Sequence, residues 1–251
     1  MEPIQVFSTA AKPLELELSR YAARFARAVY IGDPPPFSDS SVMKSATVSA
    51  LKFDDLFLAV ICHHVLKRYR ELKEDNRNLI FQIGRVQFNP IQHVISEDSE
   101  RDLATLDLTP FVGSANGLEE SSFIEPLSWP PSDVNENDVV CLAGFPGIWR
   151  DQLSVNELRF QWFSSGSAFV RSAREEQFVV SVRPEEPIVT VNKGLILGSL
   201  GGLSGGPVFC WRKTDSLLRA ELVGFIYEYQ EELDLMYVRA ARVLNCDGTF
   251  A

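Results

Sequence analysis

The sequence GGLSGGPVF, residues 201–209, is uncharged, rich in glycine and centred on one serine, Ser204. Glycine adopts backbone conformations that a Cβ forbids and lets a ligand approach the chain closely. Such a loop can hold a serine hydroxyl with backbone amides directed towards it. Taken alone, the stretch fits a catalytic nucleophile and a glycine-rich turn between strands equally well, so the rest of the chain has to decide.

The positions of the three histidines, 63, 64 and 93, decide which serine chemistry is open to this loop. Serine is a weak nucleophile and needs a base, usually a histidine that a carboxylate holds in place. Residues 202–206 also match the G-x-S-x-G turn of α/β-hydrolases, in which a helix and later the histidine follow the serine. No histidine follows Ser204, and the residues after it favour a strand. These features strongly disfavour an α/β-hydrolase, and the order His, Asp, Ser remains.

Three blocks in this order resemble the chymotrypsin-like (trypsin-like) serine peptidases, particularly the compact prokaryotic ones. CHHV at 62–65 is similar to the family's small-x-His-Val block, and DLA at 102–104 to its Asp-Leu/Ile-Ala block. GLSGGPV at 202–208 is similar to its Gly-x-Ser-Gly-Gly-Pro block. The resemblance covers roughly residues 25–245.

The resemblance implies a catalytic triad. Ser204 is the expected nucleophile, His64 the general base and Asp102 the acid that orients the base. The backbone N–H groups of Gly202 and Ser204 are expected to form the oxyanion hole. Taken singly, His64 could be an ordinary histidine at a strand end and Asp102 part of a solvated loop. Their joint order and spacing favour the triad.

The chain departs from the family at two places. Enzymes of the digestive branch carry an aspartate before the nucleophile, which pairs with a new N-terminus on activation. Here that residue is Leu203, so this switch is not expected and other contacts must order the loop. The family's pocket-floor position is Gly198, which predicts a small or apolar residue before the scissile bond. Tyr227, Tyr229 and Leu235 are the expected pocket wall.

The remaining pattern is mostly β. Residues 13–30 have apolar side chains at helical spacing and predict an amphipathic N-terminal helix. Short strands separated by turns fill both halves, around a long loop at 109–137. We predict an all-β fold of two six-stranded antiparallel β-barrels, chymotrypsin-like, with the active site between them. The first domain, 1–125, would hold the helix, His and Asp, and the second, 126–251, the nucleophile.

Composition limits the partners. A net charge of −10 and a pI near 4.9 disfavour binding to nucleic acid or to an anionic membrane. Four widely spaced cysteines without a CxxC pair predict reduced thiols rather than a zinc site or a disulfide framework. The sequence shows neither a secretion signal nor an apolar span of membrane length, so a cytoplasmic location is expected.

The sequence therefore predicts a serine endopeptidase that acts on protein or peptide substrates, in limited proteolysis, without a metal or an organic cofactor. The alternative is a catalytically silent protein-binding module of the same fold, which Leu203 leaves open. A third interpretation is a peptidase directed at one target protein and controlled by a separate regulatory chain.

Overall fold

The computed structural model describes residues 12–75, 78–114, 117–181, 201–214 and 217–251. Within these residues two α-helices and fifteen β-strands are present, so the predicted, mostly β fold is confirmed. None of the helices there is long and apolar enough to cross a membrane. The helices are α1 (Lys12–Ala23) and α2 (His63–Asp75). The strands of the first half are β1 (Ala26–Gly32), β2 (Met43–Phe53), β3 (Leu56–Ile61), β4 (Ile80–Ile83), β5 (Val86–Gln87), β6 (Val94–Asp98) and β7 (Leu103–Asp107). Those of the second half are β8 (Val139–Gly144), β9 (Arg150–Ser154), β10 (Glu157–Phe160), β11 (Phe163–Ala173), β12 (Gln177–Ser181), β13 (Pro207–Thr214), β14 (Leu217–Gln230) and β15 (Leu235–Ala240).

The N-terminal helix is shorter than the sequence predicts. It ends at Ala23, and residues 26–32, most of which were expected to continue it, form β1. This strand is central, with β2 on one side and β4 on the other, and it buries Val29, Tyr30 and Ile31. β-Branched and aromatic residues suit such a position. Pairing on both edges of β1 outweighs the helical spacing of its apolar residues.

The second half forms a closed barrel, as predicted. Its six strands follow the order β11-β12-β15-β14-β13-β8, and every neighbouring pair is antiparallel. Closure leaves the barrel without a free edge. Its interior holds large buried side chains, among them Phe163, Phe178, Ile226, Met236 and Val238.

The first half forms a curled seven-stranded antiparallel sheet, in the order β5-β4-β1-β2-β3-β7-β6, where a six-stranded barrel was predicted. Among the described residues its edge strands β5 and β6 do not pair with each other, so the sheet is not closed. The edge strand β5 has two residues, and the pairing of β6 with β7 is interrupted by an irregularity between Val94 and Ser96. Short or irregular edge strands resist further pairing.

The sheet and the barrel share one hydrophobic cluster. Leu58 and Leu103 of the sheet pack in it with Phe209 and Phe225 of the barrel. Helix α1 contributes Leu18 and further side chains to this cluster and lies against β8 and β11. Burial of apolar surface on both sides holds the two β units together.

The connection between the two units contains the predicted long loop at 109–137. Short 3-10 turns occupy Thr109–Phe111 and Glu120–Ser122, and Ile124 pairs with Leu51 of β2. The loop is therefore attached to the first sheet for part of its length. The division into domains at 125 and 126 stays a prediction.

The cysteines allow a direct test of this packing. Cys62, Cys141 and Cys210 are buried and only Cys246 is exposed. Burial raises the pKa of the Cys141 and Cys210 thiols to about 12. Because the thiolate is the reactive form, the native protein should react with an aromatic disulfide reagent at one thiol, and at all four after unfolding. Cys246→Ser should remove the native reaction, whereas a second fast-reacting native thiol would contradict the buried positions.

Candidate active site

His64 and Asp102 are joined by two hydrogen bonds. His64 is the second residue of α2, directly after β3, and Asp102 immediately precedes β7. The backbone N–H of His64 donates to Oδ1 of Asp102 at 2.8 Å, and Nδ1 of His64 lies 2.6 Å from Oδ2. A carboxylate only accepts, so Nδ1 carries the proton and Nε2 keeps a free lone pair. The imidazole is therefore oriented to act as a base through Nε2.

Asp102 has a left-handed backbone, with φ +56°, a conformation that aspartate adopts more readily than most residues. Its neighbour Arg101 is tightly held. The Arg101 carbonyl accepts from Nε of Arg239 at 3.0 Å, and its guanidinium bonds Asp98 and Glu176, each at 2.6 Å. The hydrogen bond from Arg101 lowers the pKa of the Glu176 carboxyl. These contacts tie the turn that carries Asp102 to the barrel.

Ser204 lies in the loop that leads into β13. Gly202 and Gly205 have φ of +106° and +94°, which favour glycine. The Gly201 carbonyl accepts from the N–H of Gly147 at 2.7 Å. Because C=O and N–H point in opposite directions across a trans peptide, the N–H of Gly202 faces away from Gly147. Within the described part of the chain, neither Gly202 N–H nor Ser204 N–H donates to a protein acceptor. The oxyanion-hole role of both amides stays a prediction.

Leu203 anchors this loop. Its side chain is 1% exposed and belongs to the interior cluster of the barrel. It packs so closely on Gly144 that a Cβ there would lie 2.7 Å from Cδ2 of Leu203. The N–H of Gly206 donates to the Leu203 carbonyl at 2.8 Å, and the N–H of Gly205 to the Ile226 carbonyl at 2.6 Å. An apolar side chain thus anchors the residue before Ser204 in the barrel.

His64, Asp102 and Ser204 line one cleft of about 390 Å³. Its other described lining residues are Gly201, Leu203, Ile226, Tyr227, Glu228, Tyr229 and Glu231. Tyr227 and Tyr229 therefore line the cleft. Leu235 begins β15 and is absent from the described lining, and Gly198 lies outside the described residues. The pocket roles of all four residues stay predictions.

The Ser204 hydroxyl donates to the Tyr227 carbonyl at 3.4 Å. No hydrogen bond joins it to His64 among the contacts of the described residues. A bond of this length is at the weak end of the hydrogen-bonding range. The hydroxyl can therefore change partner by rotation about its Cα–Cβ bond at low cost.

Both tyrosines of the cleft have fixed partners. The guanidinium of Arg239 lies 4.6 Å from the ring centroid of Tyr227, whose hydroxyl is 3.3 Å from Oε1 of Gln177. The Tyr229 hydroxyl is 3.0 Å from Oδ1 of Asp234. Burial raises the pKa of both phenols, so they stay neutral. The two tyrosines therefore form a fixed aromatic part of the cleft wall, beside Glu228 and Glu231.

Cys62 lies beside the His64–Asp102 pair. Its sulfur, a ring nitrogen of His64 and a carboxylate oxygen of Asp102 all lie within 4.8 Å of one another. These are metal-ligand types, but the Cys62 thiol is buried and donates to the Ile226 carbonyl at 3.4 Å. Burial, followed by the charge of Asp102, raises its pKa well above the usual value. With its proton directed to the Ile226 carbonyl, Cys62 is placed here as a buried neutral cysteine.

The other two histidines have structural partners. Nε2 of His63 is 3.4 Å from Oε2 of Glu97. The His93 ring packs on the rings of Phe88 and Phe111, with centroid distances of 5.4 and 4.9 Å. Neither residue is among the described lining of the cleft. Of the three histidines, His64 alone lines the cleft with Ser204.

A larger cavity of about 590 Å³ lies on the barrel. Asp133, Glu136 and Arg174 line it over an apolar base of Phe178 and Val223. Its described lining includes no histidine or cysteine, whereas the smaller cleft contains serine, histidine and aspartate. The smaller cleft is therefore the candidate active site.

Sequence reasoning missed the side chains that hold the site from a distance. Arg239 is one, and Thr47 of β2, which contacts the serine loop, is another. The signal for Thr47 in the sequence is the alternation of hydroxyl residues at 45, 47 and 49 with the apolar residues Ala46, Val48 and Ala50. Such alternation places the three side chains on one face of the strand.

The fold and the site together define a mostly β protein in which a closed barrel and a curled sheet meet at a cleft containing serine, histidine and aspartate. Comparison with protein-family models and with curated proteins found no match to this chain.

Proposed function

We propose that the protein is a serine endopeptidase of the chymotrypsin-like type, with Ser204, His64 and Asp102 as its catalytic triad. The observation that carries the proposal is the double hydrogen bond between His64 and Asp102 in the cleft that also contains Ser204. A carboxylate that holds Nδ1 of the imidazole leaves Nε2 able to take the serine proton. The curled sheet would correspond to the first barrel of that fold, and the closed barrel to the second.

In the proposed reaction, Ser204 Oγ bonds to the carbonyl carbon of the substrate while its proton passes to Nε2 of His64. The resulting oxyanion accepts from the N–H groups of Gly202 and Ser204, and each such donor contributes about 3–4 kcal/mol. The C–N bond then breaks as His64 returns the proton to the leaving amine. Water repeats the sequence on the acyl-enzyme, releases the acid and restores Ser204. No step needs a metal or an organic cofactor.

The substrate would be a protein or peptide with a small or apolar residue before the scissile bond. The aromatic wall formed by Tyr227 and Tyr229 supports a restricted cleft, and the resemblance places Gly198, which carries no charge, at the pocket floor. Limited proteolysis of a target protein, under control of a separate chain, fits such restriction. The four unpaired cysteines support a reducing compartment such as the cytoplasm.

One observation favours the alternative, a catalytically silent binding module. The Ser204 hydroxyl bonds Tyr227 and not His64. The peptidase proposal requires this hydroxyl to rotate towards Nε2 on substrate binding. Catalytic hydrogen bonds are often long or poorly aligned before substrate is bound, which supports the peptidase.

Labelling with a fluorophosphonate probe separates the two proposals, because the probe reacts only with an activated serine. We expect the wild-type protein to be labelled at Ser204, and Ser204→Ala and His64→Ala to be unlabelled. His93→Gln, a histidine change outside the cleft, should leave labelling intact. If the folded wild-type protein is as silent as Ser204→Ala, the peptidase proposal fails and the binding module stands.

A further inference from the structure

Three hydroxyl side chains on one face of β2 connect the first sheet to the second half of the chain. We call Ser45, Thr47 and Ser49 the hydroxyl row. Ser45 Oγ accepts from Nη1 of Arg150 at 2.7 Å, and Ser49 Oγ donates to the Gly205 carbonyl at 2.7 Å. Thr47 lies between them and contacts the serine loop directly.

Thr47 uses its side chain and its backbone to hold two loops of the barrel. The side chain is fully buried. Its hydroxyl donates to the Gly202 carbonyl at 2.7 Å and accepts from the N–H of Phe145 at 2.9 Å. Its own N–H donates to the Ser204 carbonyl at 3.2 Å. As a β-branched residue it has few side-chain rotamers, so the hydroxyl is held in place.

These contacts fix the peptide groups on either side of Gly202. Thr47 holds the Gly202 carbonyl, and Gly147 N–H holds the Gly201 carbonyl at 2.7 Å. Glycine is conformationally permissive, so at Gly202 either peptide could otherwise rotate. Rotation of the Gly201–Gly202 peptide would replace its N–H by a carbonyl on the ligand side and destroy the oxyanion hole. Rotation of the next peptide would leave the buried Thr47 hydroxyl without its acceptor, which is costly.

The Gly205 position shows how closely the strand and the loop approach. A Cβ there would lie 2.1 Å from the backbone oxygen of Thr47, so only glycine fits. The serine loop therefore rests directly on β2. Within the described part of the chain, the contacts that shape the loop come from the sheet and the barrel.

We propose that Thr47 is a positioning residue that keeps the oxyanion-hole amides of the serine loop in their active arrangement without an activating cleavage. The inference rests on the proposed peptidase function. It gives a means of ordering the serine loop in a chain that has leucine at position 203. Thr47 touches neither the reacting atoms nor the substrate, and acts through Gly202 and Ser204.

The test compares Thr47→Val, which keeps the shape and removes the hydroxyl, with Thr47→Ser, which restores a hydroxyl. Thr105→Val is the matched control, because Thr105 is also fully buried and its hydroxyl bonds a backbone carbonyl, that of Gly248, at 2.6 Å. We expect Thr47→Val to react with the fluorophosphonate about 10- to 100-fold more slowly, since small displacements of catalytic groups have effects of this order. Thr47→Ser should recover most of the rate, and Thr105→Val should keep it while losing thermal stability.

Hydrogen exchange gives a second measurement that does not depend on activity. The backbone N–H of Phe145 donates to Thr47, and that of Gly147 donates to Gly201. Both should exchange faster in Thr47→Val than in the wild-type protein, and at the wild-type rate in Thr105→Val. If Thr47→Val is labelled at the wild-type rate and its amides exchange at the wild-type rate, the inference is wrong. If the wild-type protein is unlabelled but the exchange difference is seen, Thr47 still positions the loop and only the peptidase proposal fails. If Thr47→Val and Thr105→Val lose labelling and exchange protection to the same extent, the inference is also wrong.

Discussion

Replacing Asp102 with asparagine is expected to lower kcat about 10⁴-fold while the protein stays folded. One carboxylate oxygen of Asp102 accepts the backbone N–H of His64, and the other faces Nδ1. Asparagine offers one oxygen and one NH₂ group. If the oxygen keeps the backbone N–H, the NH₂ group faces Nδ1, which must then accept. The ring proton moves to Nε2, and His64 can no longer take the proton of Ser204.

The measurement is turnover of an unfolded protein such as casein, with thermal unfolding alongside. Asparagine tolerates a left-handed backbone as aspartate does, so the φ of +56° at this position should persist. Asp107→Asn is the control, because Asp107 lies at the far end of β7 and accepts from the N–H of Thr109. The control should stay within about twofold of wild type. If the kcat of Asp102→Asn is also within about twofold of the wild-type value, Asp102 does not orient the base.

The association of His64 with Asp102 is the part of the site that sequence reasoning anticipated best. Each residue adjoins a strand whose apolar pattern is strong, β3 for His64 and β7 for Asp102. These strands pair directly, Ile61 with Ala104, so residues adjoining them must come close. A local pattern and one strand pairing are enough to bring these two side chains together.

The first half of the fold was harder to predict. The helical spacing in residues 13–30 continues into a segment that forms β1, because pairing with β2 and β4 stabilises the strand. The sheet then contains seven strands, including β6, which the sequence did not indicate. Residues 94–98, with two apolar residues followed by three polar ones, show no alternating pattern, and all five are only partly buried. Strand number and closure depend on pairing between distant segments, which local patterns do not specify.

The supports of the serine loop could not be predicted for the same reason. Thr47 bonds Gly202 across 155 positions, and Arg239 bonds the Arg101 carbonyl across 138. No short motif contains both members of such a pair. The sequence identified Leu203 as a departure and required some other means of ordering the loop. The structure supplies two, the burial of Leu203 in the barrel and the hydroxyl of Thr47.

Replacing Leu203 with alanine is expected to reduce the free energy of unfolding by about 2–5 kcal/mol, as expected when a buried leucine leaves a cavity. The side chain is 1% exposed and packs within the closed barrel against Gly144. Because Leu203 immediately precedes Ser204, its loss should also loosen the loop and slow fluorophosphonate labelling. Thermal unfolding measures the first effect, with a fall of about 2–4 °C per kcal/mol for a chain of this size.

Leu127→Ala provides the matched control for this change. Leu127 is 81% exposed, so the same truncation there removes little buried surface and should change stability by no more than about 0.5 kcal/mol. If Leu203→Ala matches Leu127→Ala in both thermal midpoint and labelling rate, Leu203 does not anchor the loop. If stability falls while labelling of the folded protein is unchanged, Leu203 stabilises the barrel, and the contacts of Thr47 with Gly202 and Ser204 suffice to shape the loop.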